Sequence, residues 1–399
     1  MSRHSTYNIL MYSHDTFGLG HIRRTMAIAD NLRGRDINIL ILTGSPIAGR
    51  FPFQKQVDFV RIPGMIKVTN EEYHSLSIKI NAGQALNIRT SIITTTAKTF
   101  QPNLFIIDKE PLGLKKEVLP ALKWMRRKLP GSRAILGLRD IMDDAPTVQR
   151  DWKKKGIYAV LESLYSEIWV YGNREIYDPI AEYAIPPAVV PKMYFTGYIP
   201  RKIASPEAIA ALRRDHDIAP AEKLVVITIG GGGDGYQVID TFLTLMEDCP
   251  AYPPFKSIIV TGPFLPRKQL NHIVSRARRL NIRAYRFFNK MEKLIAAADL
   301  VISMGGYNTF CEILSQKSVS LLIPREAPRR EQLIRAQVFK RQGLLDYVAW
   351  NEVNPARLRA KIEQMLANRP QYETAMAAFE LTGLKSMKTR IAQYRKMSR

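Results

Sequence analysis

Apolar positions in this chain fall mostly in short unbroken runs, not in strict alternation. In the first half the runs are Asn8–Ser13, Asn38–Leu42, Leu104–Ile107, Ala134–Leu138 and Glu167–Val170. In the second half they are Leu224–Ile229, Ser257–Val260, Arg283–Tyr285, Leu300–Ser303 and Ser320–Ile323. Runs of this length without polar alternation predict parallel strands buried on both faces. Helical stretches separate them, so the pattern predicts an α/β chain with doubly wound sheets. The second series begins after a polar segment, IPRKIASPEAIAALRRDHDIAPAEK. Two Rossmann-like domains are therefore expected, 1–198 and 199–375, facing across a cleft. A basic helical segment, 376–399, is expected to pack back on the first domain. Ligands of such sheets bind beyond the carboxyl ends of the strands, which directs attention to those loops.

Two loops of the second domain carry the strongest chemistry. LVVITIGGGGDGYQVIDTFLTLM places Gly230, Gly231, Gly232 and Gly233 directly after a strand, with a helix starting near Tyr236. Glycine lets a backbone approach a bulky anion, and a helix N-terminus adds N–H groups and partial positive charge. This reads as a diphosphate cradle, although the Lys and Ser/Thr of a Walker loop are missing. Further on, DLVISMGGYNTFCEILSQKSVSLLIPREAPRREQLIRAQVFKRQGL again runs from a strand into Gly305 and Gly306 and then a helix. Thr309 and Glu312 share a face near its start. A carboxylate there can accept from the two vicinal hydroxyls of a ribose. Glu331 and Gln332 open the next helix and can hydrogen-bond sugar hydroxyls.

The first domain offers MYSHDTFGLGHIRRTMAIADNL, in which Gly18, Gly20 and His21 stand between a strand and a helix. Asp15, Asp108, Glu110 and Asp140 lie at or just past predicted strand ends, where acids are poised to orient a substrate.

Composition changes this picture in two ways. The chain of 399 residues has 59 basic against 36 acidic side chains, a net charge of +23. The excess is spread over both halves and draws anions: phosphorylated substrates, anionic lipid or nucleic acid. No zinc-finger spacing or aromatic RNA-recognition signature supports nucleic acid. The two cysteines, Cys249 and Cys311, provide neither a disulfide framework nor a metal spacing. The opening MSRHSTYN is polar and no apolar run approaches a bilayer span, so a cytoplasmic protein is expected. GLKKEVLPALKWMRRKLPG reads as a basic amphipathic segment that suits contact with the anionic inner face of a membrane.

Taken together the motifs resemble those of GT-B glycosyltransferases. The nearest pattern is that of the bacterial peptidoglycan N-acetylglucosaminyltransferases and the UDP-glucuronosyltransferase-like enzymes. Gly306, Thr309, Glu312, Pro324, Gln332, Ala336 and Gly343 stand in register with the S-G-A-x-T-x-x-E, Pro, Q-Q, N-A and Gly positions of the former. Gly306, Tyr307, Asn308 and Glu312 match the UDP-sugar signature H-C-G-W-N-S-T-x-E, whose histidine is Met304 here. Arg335 replaces the asparagine of N-A. YFTGYIPRK is similar to the interdomain T-G-x-x-x-R segment, which implies Arg201 as a diphosphate contact. Gly18, Gly20 and His21 match the G-x-G-G-H loop, and Arg24 replaces its proline.

The resemblance implies a hexosyltransferase of polysaccharide or glycolipid biosynthesis. It would move a sugar from a nucleotide donor, UDP-linked by analogy, to an acceptor hydroxyl on a saccharide, lipid-linked or small-molecule acceptor. Inversion at the anomeric carbon is implied, without metal or cofactor. Asp215-His216-Asp217 has the letters of a metal motif but lies in a polar helical stretch. His21 is the first candidate for the base, with Asp15, Asp108, Glu110 and Asp140 as alternatives; Asp108, Glu110 and Asp140 line the acceptor side. Two alternatives stand beside this reading. One is a UDP-sugar 2-epimerase of the same fold, disfavoured because Glu312 lies six residues beyond Gly306. The other is a basic nucleic-acid- or membrane-binding protein on a degenerate transferase scaffold.

Overall fold

A computed structural model describes residues 6–14, 20–46, 48–50, 54–67, 73–248 and 254–397. The chain divides into two units. The first comprises Met1–Asp140, Ala145–Ile199 and Thr382–Arg399; the second comprises Ile141–Asp144 and Pro200–Leu381.

In the first unit the strands are β1 (Tyr7–Ser13), β2 (Ile37–Thr43), β3 (Val57–Arg61), β4 (Met65–Lys67), β5 (Tyr73–Ser75), β6 (Leu104–Asp108), β7 (Arg133–Arg139), β8 (Glu167–Tyr171) and β9 (Met193–Phe195). Seven of them form one parallel sheet in the order β3-β2-β1-β6-β7-β8-β9, and β4 pairs antiparallel with β5. Ile9, Leu10, Phe105, Ile107, Ile135, Leu136, Ile168 and Val170 are fully buried along the central strands. Each such side chain contributes about 1.5–3 kcal/mol by leaving water.

The second unit holds β10 (Lys223–Thr228), β11 (Phe255–Val260), β12 (Arg283–Tyr285), β13 (Leu300–Ser303), β14 (Ser320–Leu322) and β15 (Asp346–Tyr347). They form a parallel sheet in the order β12-β11-β10-β13-β14-β15. Val225, Ile227, Phe242, Ile259, Ile302 and Leu321 lie in one core between this sheet and its helices. In each unit the winding reverses beside the first strand, between β1 and β6 and between β10 and β13. At such a switch point adjacent loops diverge and leave a crevice.

Strands β3, β4, β5, β9 and β15 escaped the sequence reading. Each is a sheet edge, half solvated and short, so VDFVR and DY lack an unbroken apolar run. The division of the chain also differs in detail from the expected limits. The helix Arg369–Ala378 belongs to the second unit, and the return to the first begins at Thr382. The helix Gly383–Met397 buries Met387, Ile391 and Tyr394, and its Arg390 pairs with Glu167. Ile141–Asp144, placed by the sequence reading inside the first domain, groups with the second. There Asp143 Oδ1 accepts from the Arg330 N–H at 2.8 Å.

Candidate functional site

The crevice of the second unit is built from the loops after β10, β13 and β14. Gly305 follows β13 with φ +75°, and a Cβ there would stand 2.8 Å from Leu322 Cδ1. Gly306 then starts the helix Tyr307–Gln316, which no side chain caps. Its first-turn N–H groups, those of Asn308 and Thr309 included, therefore lack intrahelical acceptors and favour an anion. Arg201 stands beside them. Its Nη2 donates to Asn308 Oδ1 at 2.8 Å and its backbone N–H to Ser315 Oγ at 2.8 Å. Arg201 Nη1 is buried without a hydrogen-bond partner, a cationic donor left for a ligand oxygen. Thr309 borders the glycine loop, since a Cβ on Gly230 would lie 3.7 Å from Thr309 Oγ1. Glu312, one turn on, is half-buried.

The glycine run splits into two roles. Gly230, Gly231 and Gly233 are exposed, but Gly232 is buried with φ +90°. A Cβ on Gly232 would stand 2.4 Å from Thr261 O, and one on Gly262 2.4 Å from Gly230 O. The loops after β10 and β11 thus pack backbone on backbone, and Gly232 serves that packing. Asp234 leads away from the cradle as well, pairing with Arg325 at 2.7 Å.

Arg325, just past β14, was not singled out from the sequence; a cation directly after the strand in SLLIPRE was the available signal. Its Nη2 donates to Glu331 Oε1 at 3.1 Å, and its backbone N–H to Gln332 Oε1 at 3.1 Å. Glu331 and Gln332 are both buried, with Gln332 beside Gly306: a Cβ there would lie 4.0 Å from Gln332 Nε2. Gly305, Gly306, Asn308, Thr309, Gln332 and the exposed part of the glycine loop therefore converge. Arg335 is fully buried and donates to Gly305 O at 2.8 Å, holding the turn before the helix.

In the first unit the crevice lies at the ends of β1 and β6. Gly20 is the first residue of the helix Gly20–Leu32, which places His21 on its opening turn. Gly18 and Asp15 lie outside the described residues, as does Cys249. His21 Nδ1 stands 2.5 Å from Asp108 Oδ2, the last residue of β6. Burial holds the His21 imidazole down to about 4, with Asp108 pulling the other way. The charges of Arg24 and His21 hold the Asp108 carboxyl well below the usual carboxylate range, against its burial. His14, just after β1, packs edge-to-face on His21 with ring centroids 5.9 Å apart, and burial lowers it to about 3. Glu110 stands two residues past Asp108, 3.4 Å from Lys109 Nζ.

Asp140 does not join this group. It is fully buried, its carboxylate accepts from the Tyr198 hydroxyl, and its carbonyl accepts from the Tyr183 hydroxyl at 3.2 Å. A residue just past a strand end can turn into the interior as readily as toward a ligand, and Asp140 does the former. The basic segment behaves similarly. In the helix Leu119–Lys128, Ala121, Leu122 and Met125 are buried within the unit, leaving Lys123, Arg126, Arg127 and Lys128 outward. Among the described residues no three of His, Cys, Asp and Glu cluster as metal ligands. No helix there is long and apolar enough to cross a membrane.

Comparison with known proteins follows the same outline. Residues 226–391 match the glycosyltransferase family 28 C-terminal domain. A curated relative from Streptococcus uberis is the UDP-N-acetylglucosamine--N-acetylmuramyl-(pentapeptide) pyrophosphoryl-undecaprenol N-acetylglucosamine transferase. It is 30% identical over 157 residues, 39% of this chain and 41% of the relative. The chain thus aligns with 39% to 54% of the length of these curated relatives. MurG of Acinetobacter baumannii superposes with a TM-score of 0.61 at 13% identity, covering 97% of this chain and 99% of that one. A UDP-glucosyltransferase from Polygonum tinctorium superposes with a TM-score of 0.65 at 11% identity, covering 98% and 99%. The chain has the GT-B fold of these solved structures, and its residues 226–391 match the family 28 C-terminal domain.

Proposed function

We propose that this protein is an inverting hexosyltransferase that moves a sugar from a UDP-linked donor to an acceptor hydroxyl. One observation carries the reading: an uncapped helix N-terminus flanked by a buried, unpartnered guanidinium nitrogen of Arg201. Such a site suits a diphosphate, and the helix lies within the stretch that matches the family 28 domain. Arg201 and the first-turn N–H groups would hold the leaving diphosphate as charge builds on it. Glu312 would take the ribose hydroxyls, and Gln332, with Glu331 behind Arg325, the sugar. Metal-independence is part of the proposal, supported by the cationic character of these groups.

The acceptor side belongs to the first unit. His21, with Asp108 on Nδ1, offers Nε2 to the acceptor proton as the acceptor oxygen attacks the anomeric carbon. The curated relatives' names point to a lipid-linked saccharide acceptor, and we extend that class to this chain, acting in the cytoplasm at the inner membrane face. The outward lysines and arginines of the helix Leu119–Lys128 support electrostatic contact with anionic lipid.

The test is calorimetric titration with UDP and a panel of nucleotide sugars. Binding below millimolar is expected, and Arg201→Ala should weaken it by about tenfold or more, the worth of a charged hydrogen bond. No binding of any nucleotide at millimolar concentration would sink the reading. A sugar nucleotide isomerised without acceptor would assign the epimerase instead. Salt-dependent nucleic-acid binding without transfer would assign the binding protein.

A further inference from the structure

Arg24 occupies a position where the resembled family has proline, and it is 1% exposed. It lies one helical turn after His21, so both side chains leave the same face of the helix. Its guanidinium forks onto Asp108: Nε donates to Oδ1 at 2.9 Å and Nη2 to Oδ2 at 2.7 Å. The Tyr171 ring packs against it, 5.7 Å from guanidinium carbon to centroid. Space for Tyr171 comes from Gly137 in β7, where a Cβ would fall 1.8 Å from the Tyr171 hydroxyl oxygen. Asp108 is thereby held from two directions, by a fork on one side and by His21 on the other.

This geometry determines where the His21 proton sits. His21 Nδ1 is 2.5 Å from Asp108 Oδ2 and 3.0 Å from Arg24 Nη2. A guanidinium offers no lone pair and keeps its protons throughout the accessible pH range. A bare Nδ1 would set its lone pair against the carboxylate oxygen. The proton therefore lies on Nδ1, donated to Oδ2, which also receives Arg24 Nη2–H. Nε2 is left with the lone pair. A second proton on the ring would bring a positive charge within 3.0 Å of the Arg24 nitrogen.

We propose that Arg24 is a positioning residue for the base: its fork aligns Asp108 to receive His21 Nδ1–H, and its charge adds to burial in keeping the imidazole neutral and proton-accepting. The inference rests on His21 being the base of the proposed transfer, but its test reads the imidazole directly. Among the described residues the groups facing His21 are Asp108 at the end of β6, Lys109 beyond it, His14 after β1 and Arg24 on its own helix, with Tyr171 of β8 behind Arg24. Among the described residues, burial, Arg24 and Lys109 lower the imidazole and Asp108 raises it.

The experiment uses the full chain labelled with 15N-histidine, and follows long-range proton–nitrogen correlations across acid and neutral pH. In the wild type His21 should show the Nδ1–H form and a midpoint far below the ordinary histidine value. Arg24→Gln keeps one N–H donor for Asp108 and removes the charge. It should raise the His21 midpoint by about one pH unit or more. Arg24→Lys, which keeps the charge, should leave the midpoint low. An unchanged midpoint in folded Arg24→Gln overturns the proposal. Should that variant not fold, the wild type decides: a proton on Nε2, or an ordinary midpoint, overturns it. A wild type that binds no UDP and transfers no sugar would defeat the transferase reading while these signals still decide the role of Arg24.

Discussion

His21 and Asp108 come from different elements, 87 residues apart, and meet because β1 and β6 are neighbours in the sheet. Each was legible as a candidate from its place at a strand end; their union was not, because strand order is a tertiary property. The same limit hid Asp140, whose position beside a strand end looked equivalent until Tyr198 and Tyr183 claimed it. His21→Gln should abolish transfer while leaving UDP affinity within about twofold; loss of both would make His21 a binding or structural residue. With the imidazole held near 4, kcat/KM should stay flat from neutral pH down to about 5, falling only as His21 takes up its proton. A profile that falls near 6.5 instead would mean an unperturbed base.

At the scale of elements, the parallel sheets were readable because both-face burial demands unbroken apolar runs. The backbone packing of the loops after β10 and β11 was not, since a glycine that meets a ligand and a glycine that meets another loop look alike in sequence. Gly232→Ala separates these roles. Its positive φ and the 2.4 Å approach to Thr261 O predict a loss of about 2 kcal/mol or more of stability in the second unit. Gly231→Ala, with its nearest neighbour at 3.4 Å, should cost less stability and act on nucleotide affinity. Urea unfolding of both variants, read beside UDP titration, checks the distinction. Equal destabilisation would remove the packing role.

For the molecule as a whole, buried basic and acidic groups make the first unit sensitive to acid. Unfolded histidines take up protons below about 6.5. Folded His21 does so only near 4 and His14 only near 3. Between these limits unfolding binds protons, so stability present above 6.5 drains away as pH falls. Protonation of Asp108, whose folded carboxyl is held low, extends the loss further into acid. The melting temperature of the first unit should therefore drop between pH 6.5 and pH 4, and His14→Gln should flatten that drop. A melting temperature level across this range would contradict the burial of both rings.

The chain passes between its two units at residues 140, 144, 199 and 381, so the first unit is threaded through the sequence while nearly all of the second is one continuous stretch. Synthesis runs from the N-terminus, and the helix Gly383–Met397 is the last of the described elements to be made. The second unit can complete its core during translation, but the first must wait with Glu167, Thr196 and Tyr198 still lacking their partners Arg390, Thr382 and Gly383. Assembly would then proceed in the reverse of sequence order, the sheet of the second unit before that of the first. A chain stopped after Leu381 should consequently retain UDP binding and lose the cooperative melting of the first unit, a temporal hierarchy that neither sheet displays by itself.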